Sequence, residues 1–166
     1  MKRITFLLLS MAMMVLLPNT AMAQSQPQAT RIVTNHADFR IKIQRCVANG
    51  TNVLIDMLFI NEGTKDVDNI SIHCSNWHGV EAYDSEGNIY REPKISVKVA
   101  NGEEYRNSSK EFSILTGVPM RVSLLIKDVS ETSESIARLK LCVDCSEWAL
   151  DRSKPIVFRN IPISRD

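Results

Sequence analysis

Four cysteines are the residues of this chain whose chemistry is most open to interpretation. They are Cys46, Cys74, Cys142 and Cys145, and the last two form a C-x-x-C motif. In a thiol-disulfide oxidoreductase such a motif supplies the thiolate that attacks a substrate disulfide. In an oxidising compartment an even number of cysteines favours structural disulfides instead. The compartment of the protein therefore decides between the two interpretations.

The first 23 residues predict export as a signal peptide. A basic start, Lys2-Arg3, precedes an apolar stretch from Ile4 to Leu17, and residues 21–23 (AMA) form an A-x-A cleavage site. The apolar stretch is shorter than the roughly 20 residues that span a bilayer, and Pro18 ends it. Residue 24 is Gln and the first cysteine is Cys46, so we do not expect a lipoprotein. The sequence therefore predicts an extracytoplasmic bacterial protein, periplasmic or secreted.

Export favours disulfides among the four cysteines. Pairs between Cys46 and Cys74 and between Cys142 and Cys145 would join segments close in sequence, which makes this the preferred connectivity. A long-range bridge to the Cys142 region would remove more entropy from the unfolded chain and stays open. The alternative is a periplasmic thiol-disulfide oxidoreductase that uses Cys142 and Cys145. Redox C-x-x-C motifs open a helix in an α/β fold, whereas residues 139–143 alternate like a strand.

Neither a metal site nor a cofactor is predicted. His73, Cys74 and the C-x-x-C pair supply a nominal zinc set, but adjacent residues of a strand point to opposite faces. Oxygen donors alternate along Asp84, Glu86 and Asn88 as in a calcium loop, but the closing Glu of that motif is missing. A solvated hairpin turn is the favoured interpretation of that segment.

No catalytic constellation is evident in the sequence. Only three histidines occur, no serine lies in a G-x-S-x-G motif, and the acidic residues are scattered. We therefore expect that the chain is not an enzyme. Trp77, His78 and Trp148 lie outside the clear strands, where an aromatic residue either contacts a partner or fills one end of the core.

The near-zero net charge of the chain argues against a partner, such as a nucleic acid, that is bound through a large charged surface. The full chain has 20 Lys and Arg against 19 Asp and Glu, a net charge of +1. Removing 23 residues from 166 leaves 143, and the loss of Lys2 and Arg3 changes the net charge to −1. A nucleic-acid-binding protein needs a concentrated excess of basic residues. Recognition, if it is the function, must therefore be local.

The exported part predicts a flexible leader at 24–37 and one domain at 38–166. Within the domain, short apolar runs alternate with turn signals such as Asn49-Gly50 and Asp84–Asn88. About eight or nine strands at this spacing indicate an all-β sandwich. The run Val53–Ile60 is apolar except for Asp56, which predicts a central strand. Residues 130–138 form either one helical turn or a loop between strands.

Three segments resemble a family of bacterial extracytoplasmic immunoglobulin-like domains of unknown function. They are the strand that ends at Asn61-Glu62-Gly63, the hairpin of residues 82–90, and residues 116–126, which contain Thr116-Gly117-Val118-Pro119. The resemblance covers about half of the exported chain and implies an immunoglobulin-like β-sandwich outside the cytoplasm, with no catalytic residues to transfer. The chain departs from many such proteins because it lacks a lipid-anchor cysteine and carries the C-x-x-C motif.

Two classes of function follow from these observations. The first is a non-catalytic extracytoplasmic interaction module for a protein, peptide or glycan of the cell envelope, or an accessory subunit of an envelope assembly. Its basis is that strand patterns fill the chain and that sandwiches present loops and edges to partners. The second is the oxidoreductase that would use Cys142 and Cys145.

Overall fold

The computed structural model describes residues 36–75 and 79–165. The predicted signal peptide, most of the leader, Trp77 and His78 therefore lie outside the described residues. The described residues form twelve strands and no helix. In chain order the strands are β1 Phe39–Asn49, β2 Asn52–Asn61, β3 Val67–His73, β4 Glu81–Asp84, β5 Ile89–Tyr90, β6 Ile95–Val99, β7 Ser109–Ile114, β8 Met120–Ile126, β9 Ser135–Leu141, β10 Val143–Asp144, β11 Ile156–Pro162 and β12 Ser164–Arg165.

This content confirms the all-β prediction. Three of the strands, β5, β10 and β12, have only two residues, so nine of the twelve are longer, in line with the eight or nine expected from the sequence. Residues 130–134 form a turn and loop, and residues 135–138 already belong to β9. The helical turn predicted as one alternative for 130–138 is therefore wrong, and the loop alternative holds for 130–134.

The strands form a sandwich-like arrangement of sheets. One layer is a five-stranded sheet in the order β12-β1-β2-β8-β6. The others are a three-stranded sheet, β10-β3-β7, and a four-stranded sheet, β11-β9-β4-β5. Only Cys142 separates β9 from β10, and the amide of His73 donates to the carbonyl of Cys142 at 2.9 Å. The two smaller sheets are thus joined along one chain segment.

The core contains every second residue of the central strands. On β2, Val53, Ile55, Met57 and Phe59 are fully buried, which confirms that this run is a central strand. Phe39 of β1 meets Phe59 edge to face, with ring centroids 5.3 Å apart. Because successive side chains of a strand point to opposite faces, the residues between these buried ones lie on the outer face of the five-stranded sheet.

A bulge in β1 changes which side chains reach that outer face. Ile43 pairs with Met57 and Arg45 pairs with Asp56, so Gln44 is an extra residue between two consecutive partners. Without the bulge, strict alternation would point Arg45 into the core and Cys46 outward. With it, Cys46 is buried at 5% exposure and Arg45 lies on the outer face.

The β1-β2 hairpin has the predicted Asn-Gly turn, and substitutions of its glycine test why the turn needs this residue. Gly50 has φ 58°, and it is the only one of the two central loop residues, Gly50 and Thr51, with a positive φ. We expect Gly50→Ala to lower the free energy of unfolding by about 1 kcal/mol, because a Cβ disfavours this conformation. Gly50→Asn should cost less, since Asn tolerates the left-handed region. Equal losses for Ala and Asn in urea unfolding would contradict this explanation.

The described part of the chain contains no helix that is long and apolar enough to cross a membrane.

Candidate functional site

The outer face of the five-stranded sheet carries an ordered set of polar side chains. The registers of β1, β2, β8 and β6 place these residues in rows across the sheet. The rows are Val47-Leu54-Leu125-Ser96, then Arg45-Asp56-Ser123-Lys98, then Lys42-Leu58-Arg121.

Asp56 lies at the centre of this face and is only 1% exposed. Its Oδ2 accepts hydrogen bonds from Arg45 Nε at 2.5 Å and from Arg121 Nη2 at 2.7 Å. Its Oδ1 accepts one from the Ser123 hydroxyl at 2.5 Å. Both arginine side chains are about half exposed, at 52% and 53%. The guanidinium groups therefore contact the carboxylate while about half of each arginine side chain stays in solvent.

These donors determine the charge state of Asp56. Burial is the largest single influence on the pKa of this carboxyl and would raise it, but the hydrogen bonds from Arg121, Ser123 and Arg45 together outweigh burial. The pKa of Asp56 is therefore below its ordinary value. The hydrogen bond to Asp56, and then the charge of Asp56, in turn raise the pKa of Arg121. Asp56 is thus ionised at neutral pH and fixes the two arginines on the outer face.

A pH dependence of stability follows from this pKa. A carboxyl whose pKa is lower in the folded protein than in the unfolded chain stabilises the fold above the unfolded value of about 4, and this stabilisation is lost as the pH falls towards the folded value. We expect the urea midpoint of the protein to fall as the pH drops below about 4.5. The fall should be shallower in Asp56→Asn. Parallel losses in the two proteins would show that Asp56 is not responsible.

A cleft of about 450 Å³ opens on this face over β2, β8 and β6. Ligand sites commonly fall in the range of about 300 to 1,000 Å³. Leu54 and Leu125 form an apolar part of its lining, and the chain after β6, residues 100–104, forms one wall. The lining residues are Leu54, Asp56, Ser96, Lys98, Ala100, Asn101, Glu104, Arg121, Ser123 and Leu125.

The wall after β6 is held by backbone contacts. The amide and carbonyl of Tyr105 bond to the carbonyl and amide of Val97, each at 2.9 Å, and Ala100 donates its amide to the Arg121 carbonyl at 2.8 Å. Ala100 has φ 48°, a conformation that disfavours a Cβ. The backbone is therefore locally strained at Ala100, where the wall turns over the cleft, and such strain is common at functional sites.

Ser96 is the most unusual residue of the cleft. It is 2% exposed, and its hydroxyl has no hydrogen-bond partner of normal geometry among the described residues. The hydroxyl makes only a poorly aligned contact with the Glu104 carboxylate. This hydrogen-bonding contact is the largest influence on the pKa of Glu104 and lowers it, and the contact with Arg106 at 3.3 Å lowers it further. A buried hydroxyl without a well-formed bond is costly, and this one lines a cavity that a ligand could enter.

The structure contains the four cysteines as unpaired, buried side chains. All four are buried free thiols, so the structure does not pair them and the disulfides stay a prediction. Cys46 lies on the inner face of the five-stranded sheet, whereas Cys74 follows β3 and neighbours Cys142, whose charge influences its pKa. The Cys142 thiol donates to the Gly79 carbonyl at 3.2 Å.

Their environment opposes thiolate formation. Burial raises the pKa of Cys46 and of Cys74 to about 12 and that of Cys142 to about 11. Burial also raises the pKa of Cys145, although the amides of Trp148 and Glu147 act in the opposite direction. Redox-active cysteines have lowered pKa values and reach solvent. The C-x-x-C pair lies between β9 and the turn after β10, and the described residues around it form no helix that could stabilise a thiolate.

Of the three predicted contact residues, only Trp148 is described. It is 4% exposed, and its ring stacks on Phe39 with centroids 4.6 Å apart. A buried ring that stacks on a core phenylalanine fills one end of the core. The interpretation of Trp148 as a residue that contacts a partner is therefore wrong, and the alternative interpretation is correct.

A Ser-His-Asp group that the sequence did not reveal lies across β3 and β10. Ser71 Oγ is 3.1 Å from His73 Nε2, and Asp144 Oδ2 is 2.7 Å from the same nitrogen. In a catalytic triad the serine and the aspartate contact different ring nitrogens, so that the imidazole can move a proton between them. Here both contacts fall on Nε2, so this geometry does not activate Ser71 as a nucleophile.

The calcium-like segment is a hydrogen-bonded turn. Asp84 is 2% exposed, and its Oδ1 accepts the amides of Glu86 and Asn88 at 3.0 and 2.9 Å. Its Oδ2 accepts the Asn88 side chain at 2.9 Å and the Tyr90 hydroxyl at 2.7 Å. Among the described residues, no three His, Cys, Asp or Glu side chains are grouped so that they could hold a metal ion.

Comparison with known proteins leaves the family open. No family model matches the chain, and no curated protein matches it significantly. A solved structure that it resembles is a family 123 glycoside hydrolase from Clostridium perfringens, studied for glycolipid glycan hydrolysis. The identity is 10% and the TM-score 0.42, over 82% of this chain and 26% of the hydrolase chain. The chain thus spans about a quarter of that enzyme.

This match contradicts the expectation that the chain is not an enzyme, because the matched structure is that of an enzyme. We do not retain that expectation, which rested on the lack of a catalytic constellation in the sequence. At a TM-score of 0.42 the likeness carries no argument about a reaction, so it assigns no activity to the chain.

Proposed function

We propose that the protein is an extracytoplasmic interaction module that binds a ligand of the bacterial cell envelope in the cleft on the outer face of the five-stranded sheet. The observation that carries the proposal is the buried Ser96 hydroxyl, which lines the cleft without a well-formed hydrogen bond. Buried hydroxyls that lack a well-aligned partner are rare in folded proteins. The only contact of this hydroxyl among the described residues, with Glu104, is poorly aligned, so a ligand hydroxyl or amide would complete its hydrogen bonding. The predicted signal peptide and the resemblance to immunoglobulin-like extracytoplasmic domains support the location and the type of sandwich.

The redox alternative has less support. An oxidoreductase needs an accessible thiolate, whereas Cys142 and Cys145 are buried and burial raises their pKa values. The cleft, in contrast, combines exposed cations, a buried acid fixed between them and an apolar surface. A few oriented polar groups beside an apolar wall are typical of ligand sites.

The proposal is tested by binding of the purified protein to arrays of bacterial envelope glycans and of peptides. Lys98→Trp fills the cleft from an exposed strand position, and Arg159→Trp places the same side chain at an exposed position of β11, away from the cleft. We expect Lys98→Trp to abolish the binding seen with the unchanged protein and Arg159→Trp to retain it, with both variants folded by circular dichroism. Retained binding in Lys98→Trp, or no binding of any array ligand by the unchanged protein, would refute the proposed site.

A further inference from the structure

The charges around the cleft are not balanced. Both carboxylates in it are already neutralised, since Asp56 holds two guanidinium groups and Glu104 pairs with Arg106. Lys98 lines the cleft and has no carboxylate partner among the described residues. The charged residues that line the cleft, together with their ion-pair partners, therefore carry a net charge of +2, with cations Arg45, Lys98, Arg106 and Arg121 against anions Asp56 and Glu104.

Two of these cations are placed to bind one anionic ligand. Lys98 lies opposite Ser123 on the neighbouring strand, and Arg121 lies two residues before Ser123 on the same face. Two residues along a strand span about 7 Å, so the bases of the two cationic side chains lie roughly 7–8 Å apart. Only Nη2 of Arg121 contacts Asp56, and the side chain is 53% exposed. The remaining guanidinium N–H groups can therefore donate to the carboxylate of a ligand.

The rest of the cleft lining indicates which kind of anion fits. The row beside the cations contains Leu54 and Leu125, which offer an apolar surface, and ends at the buried Ser96 hydroxyl. A sugar ring has one face rich in C–H groups and a rim of hydroxyls, which suits both features. An extended peptide would instead need an open strand edge. The β6 edge beside the cleft is closed by the Val97–Tyr105 bridge, whereas β7, away from the cleft, is an edge strand.

We infer that the cleft binds an acidic glycan, with a carboxylate of one sugar between Arg121 and Lys98, a hydroxyl on Ser96 and a ring face on Leu54 and Leu125. This inference rests on the proposed function, because it names the ligand class of the same cleft. It is consistent with the near-neutral charge of the chain, since the excess of cations is confined to one part of one face.

The test compares ligands whose carboxyl groups are either charged or esterified. Trigalacturonic acid and its fully methyl-esterified form share one sugar backbone, and isothermal titration calorimetry measures binding of each to the purified protein. We expect the acid to bind at least about tenfold more tightly than the ester, and its affinity to fall severalfold between about 0.05 and 0.5 M NaCl. Lys98→Gln should weaken binding of the acid by about tenfold and leave the ester unaffected, while Arg159→Gln serves as the matched control.

The outcomes separate the inference from the proposed function. Equal affinity for the acid and the ester, or tighter binding of a triglutamate peptide than of the acid, would overturn the inference. A failure of trigalacturonic acid together with cleft-dependent binding of a neutral array ligand would also overturn it and leave the proposed function standing. If no ligand binds in a way that depends on Lys98, both fail.

Discussion

Replacing Asp56 by alanine is expected to lower the free energy of unfolding by about 3–4 kcal/mol, the largest effect of any single substitution that we predict. The carboxylate is 1% exposed and accepts three hydrogen bonds, two of them from guanidinium groups. Its removal leaves the Ser123 hydroxyl without this acceptor, and it leaves the two neighbouring guanidinium groups without the carboxylate that they share. The effect stays near the low end for a buried ion pair, because Arg45 and Arg121 are half exposed and can regain water.

Matched variants separate the contributions to this effect. Asp56→Asn keeps the shape of the side chain but not its charge, so we expect a loss of about 2 kcal/mol. Arg45→Gln and Arg121→Gln should each cost less, about 1 kcal/mol, since the other guanidinium still holds the carboxylate. Urea unfolding followed by circular dichroism measures each change. A loss below about 1 kcal/mol in Asp56→Ala would show that the cluster does not stabilise the fold.

Replacing Asp84 by alanine is expected to cost about 3 kcal/mol, because four donors lose a buried acceptor at once. These donors are the amides of Glu86 and Asn88, the Asn88 side chain and the Tyr90 hydroxyl. Burial is the largest influence on the pKa of Asp84 and raises it, yet the hydrogen bonds outweigh burial and the pKa is lowered overall. The carboxylate therefore fixes the β4-β5 turn in its ionised form.

Tyr90→Phe is the control for this prediction. It removes one of the four donors and leaves the carboxylate its other three, so its cost should be about 1 kcal/mol in the same urea experiment. If Tyr90→Phe costs as much as Asp84→Ala, the hydroxyl contact and the packing of the ring dominate. The turn amides would then contribute little, and the large loss expected for Asp84→Ala would need another cause.

The periodicity of the sequence predicts most of this fold. Alternating apolar residues fix the inward faces of the strands, and the Asn49-Gly50 dipeptide fixes the first hairpin, because these signals are local. The lone acid in the apolar run Val53–Ile60 is a local sign of the Asp56 cluster. A charge in a buried strand needs partners.

The partners of Asp56 are not predictable from the sequence. Arg45 reaches the outer face only because the bulge at Gln44 changes the alternation of β1. The consecutive polar residues Gln44 and Arg45 interrupt the period of two, but they do not show which of them faces outward or what it contacts. Arg121 is 65 residues from Asp56 in the chain and becomes its neighbour only because β8 pairs with β2. Such long-range pairing depends on how the whole sandwich assembles.

The cysteines show the same limit. The preferred bridges between segments close in sequence stay a prediction from spacing alone, and spacing does not show that the pairing of β3 with β10 brings Cys74 near Cys142. The Ser71-His73-Asp144 group arises from this same strand pair, which also explains why the sequence did not reveal it.

The most direct test of ligand binding in the cleft is to map the bound ligand on the protein by NMR. Titration of the ¹⁵N-labelled protein with trigalacturonic acid should shift the amide signals of the cleft, above all those of Ser96, Lys98, Arg121 and Leu125. Signals of β11 on the other layer should stay unchanged. Saturable shifts confined to other regions, such as the end of the core near Trp148, with the cleft signals unmoved, would contradict the assignment of the binding site to the outer face of the five-stranded sheet.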